Sequence, residues 1–467
     1  MRVSDFKKKS NAFLSRNNGL YLQLLIVILL SFFSAASLAG VFMNQKALIG
    51  DRLCIYSYFY DMLHSLNVFG EISWWNPTVQ NGFPQYYTSM LGLGYLNPLF
   101  VLIAIIVWIA GKIGIHITSF IRWDVFYFGV MEPTLFLFSV WFFARQIFKN
   151  KITVLYVLIL SAFSVGIVTN LSEIDFSNTA FGLLFAACLL KYLDKSNEKN
   201  YLLLLLSFLV IAITASYYLL FWNILFIPAF LLFVYWHNRE KFNEIFHKKK
   251  RIILGLVLVF ICFVPNLLIY LHGKDITRKP AHEKVAEYFR LQPGNPIMFL
   301  TASVPSISYD NNTITPYDHN NKRIESELTY FDYIGIIGIP LILTGFVFSK
   351  SVWKNFFLLM TPLCALVVML AGYSPLFSTL LFFNTPVRAN SHWGDLSFFF
   401  GYFLLLIFSA GIGLDVIVSH YYNKILKLFL AVAFSIYSLA AVGLIFFTYQ
   451  NPFSSYVTGF SFCLYLT

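Results

Sequence analysis

Charge is what this sequence has least of. Only 12% of its 467 residues are Asp, Glu, Lys or Arg, about half of the roughly 25% with which a soluble protein keeps its surface in water. A water-facing enzyme of two or three domains is therefore excluded. Cysteine is scarce and scattered: Cys54, Cys188, Cys262, Cys364 and Cys463 form neither a CxxC pair nor a His/Cys spacing, so no structural metal and no disulfide framework is expected. These thiols read as buried and inert. No clear internal repeat is present either, which counts against a carrier.

What fills the chain is apolar. Hydrophobic residues make up 58%, with 52 Phe, 28 Tyr and 9 Trp, and mean hydropathy is +0.70. That composition fits neither a disordered chain nor a coiled coil. Its solvent is lipid. A net charge of +11 in a soluble protein points to nucleic acid, but here the basic residues sit in short clusters between apolar runs. The clusters are Arg2 with Lys7, Lys8 and Lys9; Lys149 and Lys151; Lys191, Lys195 and Lys199; Arg239 through Arg251; Lys350 and Lys354; and Lys424 and Lys427. This is the cytoplasmic-loop pattern of a polytopic membrane protein, and no nucleic-acid partner is expected.

Crossing a hydrocarbon core takes about 20 apolar residues as a helix. Runs that meet or approach this are 20–43, 124–146, 152–169, 177–193, 201–216, 217–236, 252–271, 331–349, 353–371, 397–418 and 425–447. A further run, 95–111, is decisive for topology. If it crosses, the clusters from Lys149 to Arg251 fall on the opposite side from the amino terminus. If it lies along the interface or re-enters, all clusters share one cytoplasmic side. The second arrangement gives an all-α polytopic membrane protein with about eleven transmembrane helices, an amino terminus inside and one domain over 1–467. Residues 44–123 then form a long first extracytoplasmic loop that hugs the membrane, 272–330 a second, and 372–396 a third. Within the first loop, Ile55, Phe59, Met62, Leu63 and Leu66 recur at helical spacing opposite Tyr58, Asp61 and Ser65, the pattern of an amphipathic juxtamembrane helix. The start Lys7-Lys8-Lys9 imitates a signal peptide, but its apolar stretch runs to Phe42, longer than the about 7–15 residues of such a region, so a retained first helix is expected.

Polar chemistry is concentrated outside. Asp51 follows the first span in Ile49-Gly50-Asp51-Arg52, at the outer boundary, where partial desolvation raises a carboxylate's basicity toward that of a general base. Pairing with Arg52 as a helix-end charge is the plainer alternative. Around it stand Asp61, Gly70-Glu71-Ile72-Ser73-Trp74-Trp75-Asn76-Pro77, Asn81-Gly82-Phe83-Pro84 and Tyr95-Leu96-Asn97-Pro98-Leu99. This segment resembles the first outer loop of bacterial YfhO-like membrane proteins, within the membrane glycosyltransferases of the GT-C fold. Pro386-Val387-Arg388 is similar to that family's late arginine motif.

The resemblance implies a catalytic acid at Asp51 and a second acidic residue in the next short outer loop, where Glu173 and Asp175 are the candidates. It implies a polyprenyl-phosphate-linked sugar donor, a cell-envelope polymer or glycolipid acceptor, and residence in the bacterial cytoplasmic membrane with the active site facing outward. Arg52, Asp61, Arg278, Lys279, Arg290, Arg388 and His392 are candidate substrate contacts, the arginines because their planar fork matches phosphate oxygens. Headgroup contact is the competing use of those cations. Glu132, followed by Pro133, is a carboxylate well inside a span, so it lines the site from below, pairs with a cation such as Arg122, or marks a kinked helix. No metal motif is present, and a divalent cation is left open. Two rivals stand beside the transferase: a transporter or lipid flippase, and a non-catalytic relative that binds glycolipid.

Overall fold

A computed structural model of the chain describes residues 23–33, 51–73, 75–76, 83–84, 97–117, 120–163, 176–214, 225–247, 249–273, 308–310, 313–315, 337–370, 391–420 and 423–448. Every apolar run read above contains a helix. In order these are α1 (Gln23–Phe33), α2 (Asp51–Val68), α3 (Pro98–Lys112), α4 (Ile121–Ile147), α5 (Lys151–Phe163), α6 (Phe176–Asp194), α7 (Glu198–Thr214), α8 (Ile227–His237), α9 (Arg239–His247), α10 (Lys249–Gly273), α11 (Gly338–Phe348), α12 (Val352–Leu370), α13 (Ser391–Ser419) and α14 (Lys424–Thr448). Two stretches, Ile121–Ile147 and Gly401–Ser419, are long and apolar enough alone to cross a bilayer, among the described residues; several others are shorter apolar helices. The chain is a helical membrane protein.

Two short antiparallel hairpins interrupt the expected all-α reading. Trp75–Asn76 pairs with Phe83–Pro84, and Ser308–Asp310 pairs with Thr313–Thr315. Both lie in long connections, where backbone N–H and C=O groups without a helix must find partners elsewhere.

The core is aromatic. Phe143 of α4 packs edge-on against Phe230 and Phe226 of the turn into α8 and against Phe408 of α13, with ring centres 5.9, 6.4 and 5.3 Å apart. Phe357 of α12 stacks on Phe408 at 5.8 Å, and Phe356 meets Phe230 at 5.8 Å. All six rings are buried. Because lipid tails are as apolar as leucine, nothing hydrophobic pushes such helices together, and packing itself must. Each offset or edge-on pair adds about 0.5–1.5 kcal/mol, and small residues let backbones close in. At the α11–α13 crossing a Cβ on Gly413 would lie 1.8 Å from the Leu341 carbonyl oxygen.

Around this core the outward faces are apolar. Ile253, Leu254, Leu256, Val257, Phe260 and Ile261 of α10, and Ile425, Leu428, Val432, Ile436 and Leu439 of α14, are all exposed. In water such continuous patches exceed what monomers tolerate. Against hydrocarbon they cost nothing.

Gly413→Ala is expected to destabilise the bundle by about 1–3 kcal/mol, the cost of overpacking a closed contact, seen as a lower thermal midpoint in detergent. Leu439→Ala, on a side chain 72% exposed, is expected to leave that midpoint nearly unchanged.

Candidate functional site

The position of each candidate follows from which way its helix runs. Five of the basic clusters meet at one end of the bundle. Asp415 near the end of α13 accepts hydrogen bonds from the Asn150 N–H and the Thr153 hydroxyl, both 3.4 Å, which ties the α4–α5 turn to the α13–α14 turn. Asn150 also reaches Ser419. The Lys191 ammonium lies 5.2 Å from the Phe142 ring, joining the α6–α7 turn to the end of α4. Arg251 at the start of α10 pairs with Glu198 at the start of α7, and Tyr201 donates to the Arg251 carbonyl at 2.8 Å. Trp353 at the start of α12 packs on Phe233 near the end of α8, and Phe348 on Phe429. Finally, Trp141 donates its indole N–H to Gln23 at 3.1 Å. Thus α1 also begins at the basic end, and its Val27 is buried in the main core.

With those ends fixed, the starts of α4, α6, α11 and α13 lie at the opposite end, as does the finish of α1. Asp175 immediately precedes α6, whose 19 residues rise about 28 Å away from the basic end. His392 is the second residue of α13, and Arg388 precedes that helix. Glu173, Asp175, Arg278, Lys279, Arg290 and Arg388 lie outside the described residues. Asp51 is the first residue of α2, where a carboxylate is favoured by the helix dipole. Arg52 follows it in the same turn. The described starts of α6 and α13 therefore lie at one common end.

The satellite core at that end is built from α2, α3 and the first turns of α4. Met62, Leu63 and Leu66 of α2 are buried against Phe100, Ile103 and Val107 of α3 and Phe120, Tyr127 and Phe128, in line with their expected apolar face, while Ile55, Tyr58 and Phe59 lie outside the described side chains. Asp61 on α2 is half-buried rather than solvent-facing. His64 stacks on Tyr60 at 5.3 Å and meets Phe120 edge-on at 6.1 Å. With 15 residues, α3 extends only about 22 Å, short of the ~30 Å hydrocarbon core. It packs on α2 and on Tyr127–Met131 rather than joining the basic end.

The motif residues of the first loop turn out to frame these elements. Gly70 takes φ of +74° where α2 stops, a conformation that glycine adopts without steric cost. Asn97 caps α3, its side-chain oxygen accepting from the Leu99 N–H at 2.9 Å, and Pro98 follows at the first helical position, where its missing N–H is harmless. The Asn97 amide also donates to the Tyr127 hydroxyl at 2.9 Å. The Trp-Asn and Phe-Pro motif segments are the two strands of one hairpin. Asn67, which the sequence reading did not single out, is the clasp. It is buried, donates to the Val107 and Ile115 carbonyls at 3.0 and 3.1 Å, and accepts from the Ile117 N–H at 2.9 Å. Its only sequence signal is an amide at the apolar end of an amphipathic helix.

Glu132 is 1% exposed. It follows a π-helical turn, Tyr127–Met131, where its N–H bonds to the Tyr127 carbonyl five residues back. Pro133 explains the widened turn: it has no N–H, and its ring presses on the preceding turn. The π turn before Glu132 is the helix irregularity that the Glu132-Pro133 pair led one to expect. Pairing with Arg122 is not observed, since ten residues along one helix separate them by about 15 Å and Arg122 is exposed. Glu132 stands about 20 Å from Arg145 at the basic end. Among the described residues no three His, Cys, Asp or Glu side chains come together as a metal site. Cys188 and Cys364 are buried, and among the described residues no disulfide forms.

The profile of the dolichyl-phosphate-mannose-protein mannosyltransferase family matches residues 103–269, about a third of the chain, from within α3 through α10. This match supports a membrane glycosyltransferase of the GT-C type and leaves the YfhO-like resemblance to rest on its own motifs. No curated protein and no solved structure matches the chain.

Asn67→Leu is expected to strand two carbonyls and one N–H, at a cost of about 3 kcal/mol, and to increase protease cleavage between Phe69 and Asn97. In a cysteine-free background, Ser196→Cys and Ser351→Cys are expected to react with an impermeant thiol reagent from one face of sealed vesicles. Ile115→Cys should react only from the other. Labelling of Ser196→Cys and of Ser4→Cys, near the amino terminus, from opposite faces would mean that α3 crosses.

Proposed function

We propose that the chain is a GT-C glycosyltransferase of the YfhO-like kind, with about eleven crossings, in a bacterial cytoplasmic membrane. Its basic end faces the cytoplasm and its candidate site faces outward. The observation that carries this reading is the mannosyltransferase-family match over α3 to α10, joined to helix directions that send the motif-bearing loops to the end away from the basic clusters. On that face no nucleotide sugar is available, so the donor is a polyprenyl-phosphate sugar whose tail stays in the bilayer, and the acceptor is an envelope polymer or glycolipid.

In the proposed reaction the Asp51 carboxylate takes the proton of an acceptor hydroxyl. The hydroxyl oxygen then forms a bond to the anomeric carbon as the bond from that carbon to the phosphate oxygen breaks. Polyprenyl phosphate leaves, and Asp51 returns its proton to water. Glu173 or Asp175 orients the acceptor or offsets the positive charge growing on the sugar ring. Arg388, with Arg278, Lys279 and Arg290, compensates the charge of the leaving phosphate. Arg52, Asp61 and His392 complete the polar lining, and Glu132 supports it from below.

A carrier or flippase must open toward both faces in turn. The stacked rings of Phe143, Phe226, Phe230, Phe356, Phe357 and Phe408 lie within the bundle and are buried, which favours chemistry at one face over passage through.

Asp51→Asn is expected to lower sugar transfer from a library of polyprenyl-phosphate sugars by about 10²–10⁴-fold, the worth of a general base, with folding and polyprenyl-phosphate binding retained. Unchanged product formation removes Asp51 from that role. Lipid translocation in sealed vesicles without a new glycosidic bond identifies a flippase instead.

A further inference from the structure

At the basic end one element differs from the rest. Asn238 stops α8, its N–H and side-chain amide both returning to the Val234 carbonyl at 3.0 and 3.1 Å. The chain then enters α9, nine residues of sequence REKFNEIFH, before Lys248-Lys249-Lys250-Arg251 opens α10. Phe242 turns inward, edge-on to Tyr235 at 5.5 Å and against the main core. Arg239 and Lys241 are exposed on the other side. The Arg239 guanidinium lies 4.5 Å from the ring centre of Trp236. Arg251 is already committed to Glu198, so the cations open to an outside partner are Arg239, Lys241 and Lys250, with Lys248 and Lys249 beside them in sequence.

We propose that α9 and its basic flank bind the headgroups of anionic phospholipids. Other turns at this end also set lysines beside exposed apolar side chains, as Lys350 lies between Val347 and Val352; what sets this segment apart is the number of its cations, flanked by exposed apolar side chains on both neighbouring helices. Leu232 and Trp236 on α8 are 70% and 68% exposed, and Ile253 and Leu254 open the bare face of α10. A soluble acidic polymer matches the charges alone. A phospholipid matches both: phosphate to the cations, acyl chain to the apolar row, and the headgroup boundary at the Trp236 indole, where such rings prefer to sit. From Arg239 to Arg251 six basic residues meet two acidic ones, a density of the kind that recruits acidic lipid when it adjoins a span. This property stands apart from sugar transfer, which is assigned to the other end.

The test uses the purified full chain in nanodiscs of phosphatidylcholine with or without phosphatidylglycerol. Native mass spectrometry counts retained lipid, and thermal midpoints report stabilisation. Phosphatidylglycerol is expected to be retained and to raise the midpoint, with the rise shrinking in high salt. The combined variant Arg239→Gln, Lys241→Gln, Lys250→Gln is expected to weaken retention about a hundredfold while its phosphatidylcholine midpoint stays at the wild-type value. The control, Lys149→Gln, Lys195→Gln, Lys350→Gln, removes the same charge from other turns at this end and should keep retention. Equal loss in both variants, or full retention in the first, overturns the proposal. So does a shift produced equally by inorganic phosphate in neutral discs.

Discussion

Moving one lysine or arginine to the middle of a bilayer costs roughly 2.5–3.5 kcal/mol, and the directions of the helices in this chain follow from avoiding it. With clusters at the α4–α5, α6–α7, α8–α10, α11–α12 and α13–α14 connections, each helix pair must turn back at the same level. The contacts show how that level is held: Asp415 grips Asn150 and Thr153, Arg251 grips Glu198, Lys191 lies on Phe142, and Gln23 receives Trp141. None of these bonds is strong alone. A partly exposed ion pair such as Arg251–Glu198 contributes under about 1 kcal/mol. Their work is registry, because they fix which end of each helix is which once lipid has removed the hydrophobic preference between helices.

That same loss of hydrophobic preference accounts for the phenylalanine. In water, any apolar residue of the right size drives burial. In lipid the inward and outward faces of a helix are equally apolar, so the inward face must offer something lipid cannot. Flat rings that stack and meet edge-on do so, as at Phe357–Phe408 and Phe143–Phe408, and so does the glycine crossing at Gly413. The outward faces of α10 and α14 carry mostly Ile, Leu and Val, with Phe260 among them, as neighbours to acyl chains.

This division decides what was legible in the sequence. Apolar length and the position of each lysine are one-dimensional properties, so the apolar helices and the gathering of the described basic turns could be read directly. The buried row Met62, Leu63 and Leu66 of α2 was legible for the same reason. What escaped depends on single polar contacts between distant segments. Asn67 reaches across 40 and 48 residues to Val107 and Ile115, and Asn97 reaches Tyr127. Nothing local to an asparagine tells a clasp from a solvated amide. Asp415, which the sequence reading did not single out, holds the start of another helix. For the candidate site, the sequence supplied the residues, and the described starts of α6 and α13 lie at the end away from the basic turns.

The first-loop motif shows how a structural and a catalytic reading can share one segment. Gly70 ends α2, Asn97-Pro98 begins α3, and the Trp-Asn and Phe-Pro pairs close a hairpin between them. Each is a backbone device, and none needs a substrate to justify it. Their joint effect is to pin α2, whose first residue is Asp51, to α3 and to the π turn that precedes Glu132. A base must hold its position to a fraction of an ångström for its proton transfer to be productive, and a loop beside fluid lipid offers no such stability by itself. A helix stop and a buried amide clasp against α3 and the segment after it, with a helix start bonded to Tyr127 of α4, are the kind of scaffold that supplies it. Glu132 and its proline-widened turn lie directly beneath that scaffold, so a change in the α4 ladder there would be felt first by Tyr127, then by Asn97, and through the α2–α3 packing by the helix that carries Asp51.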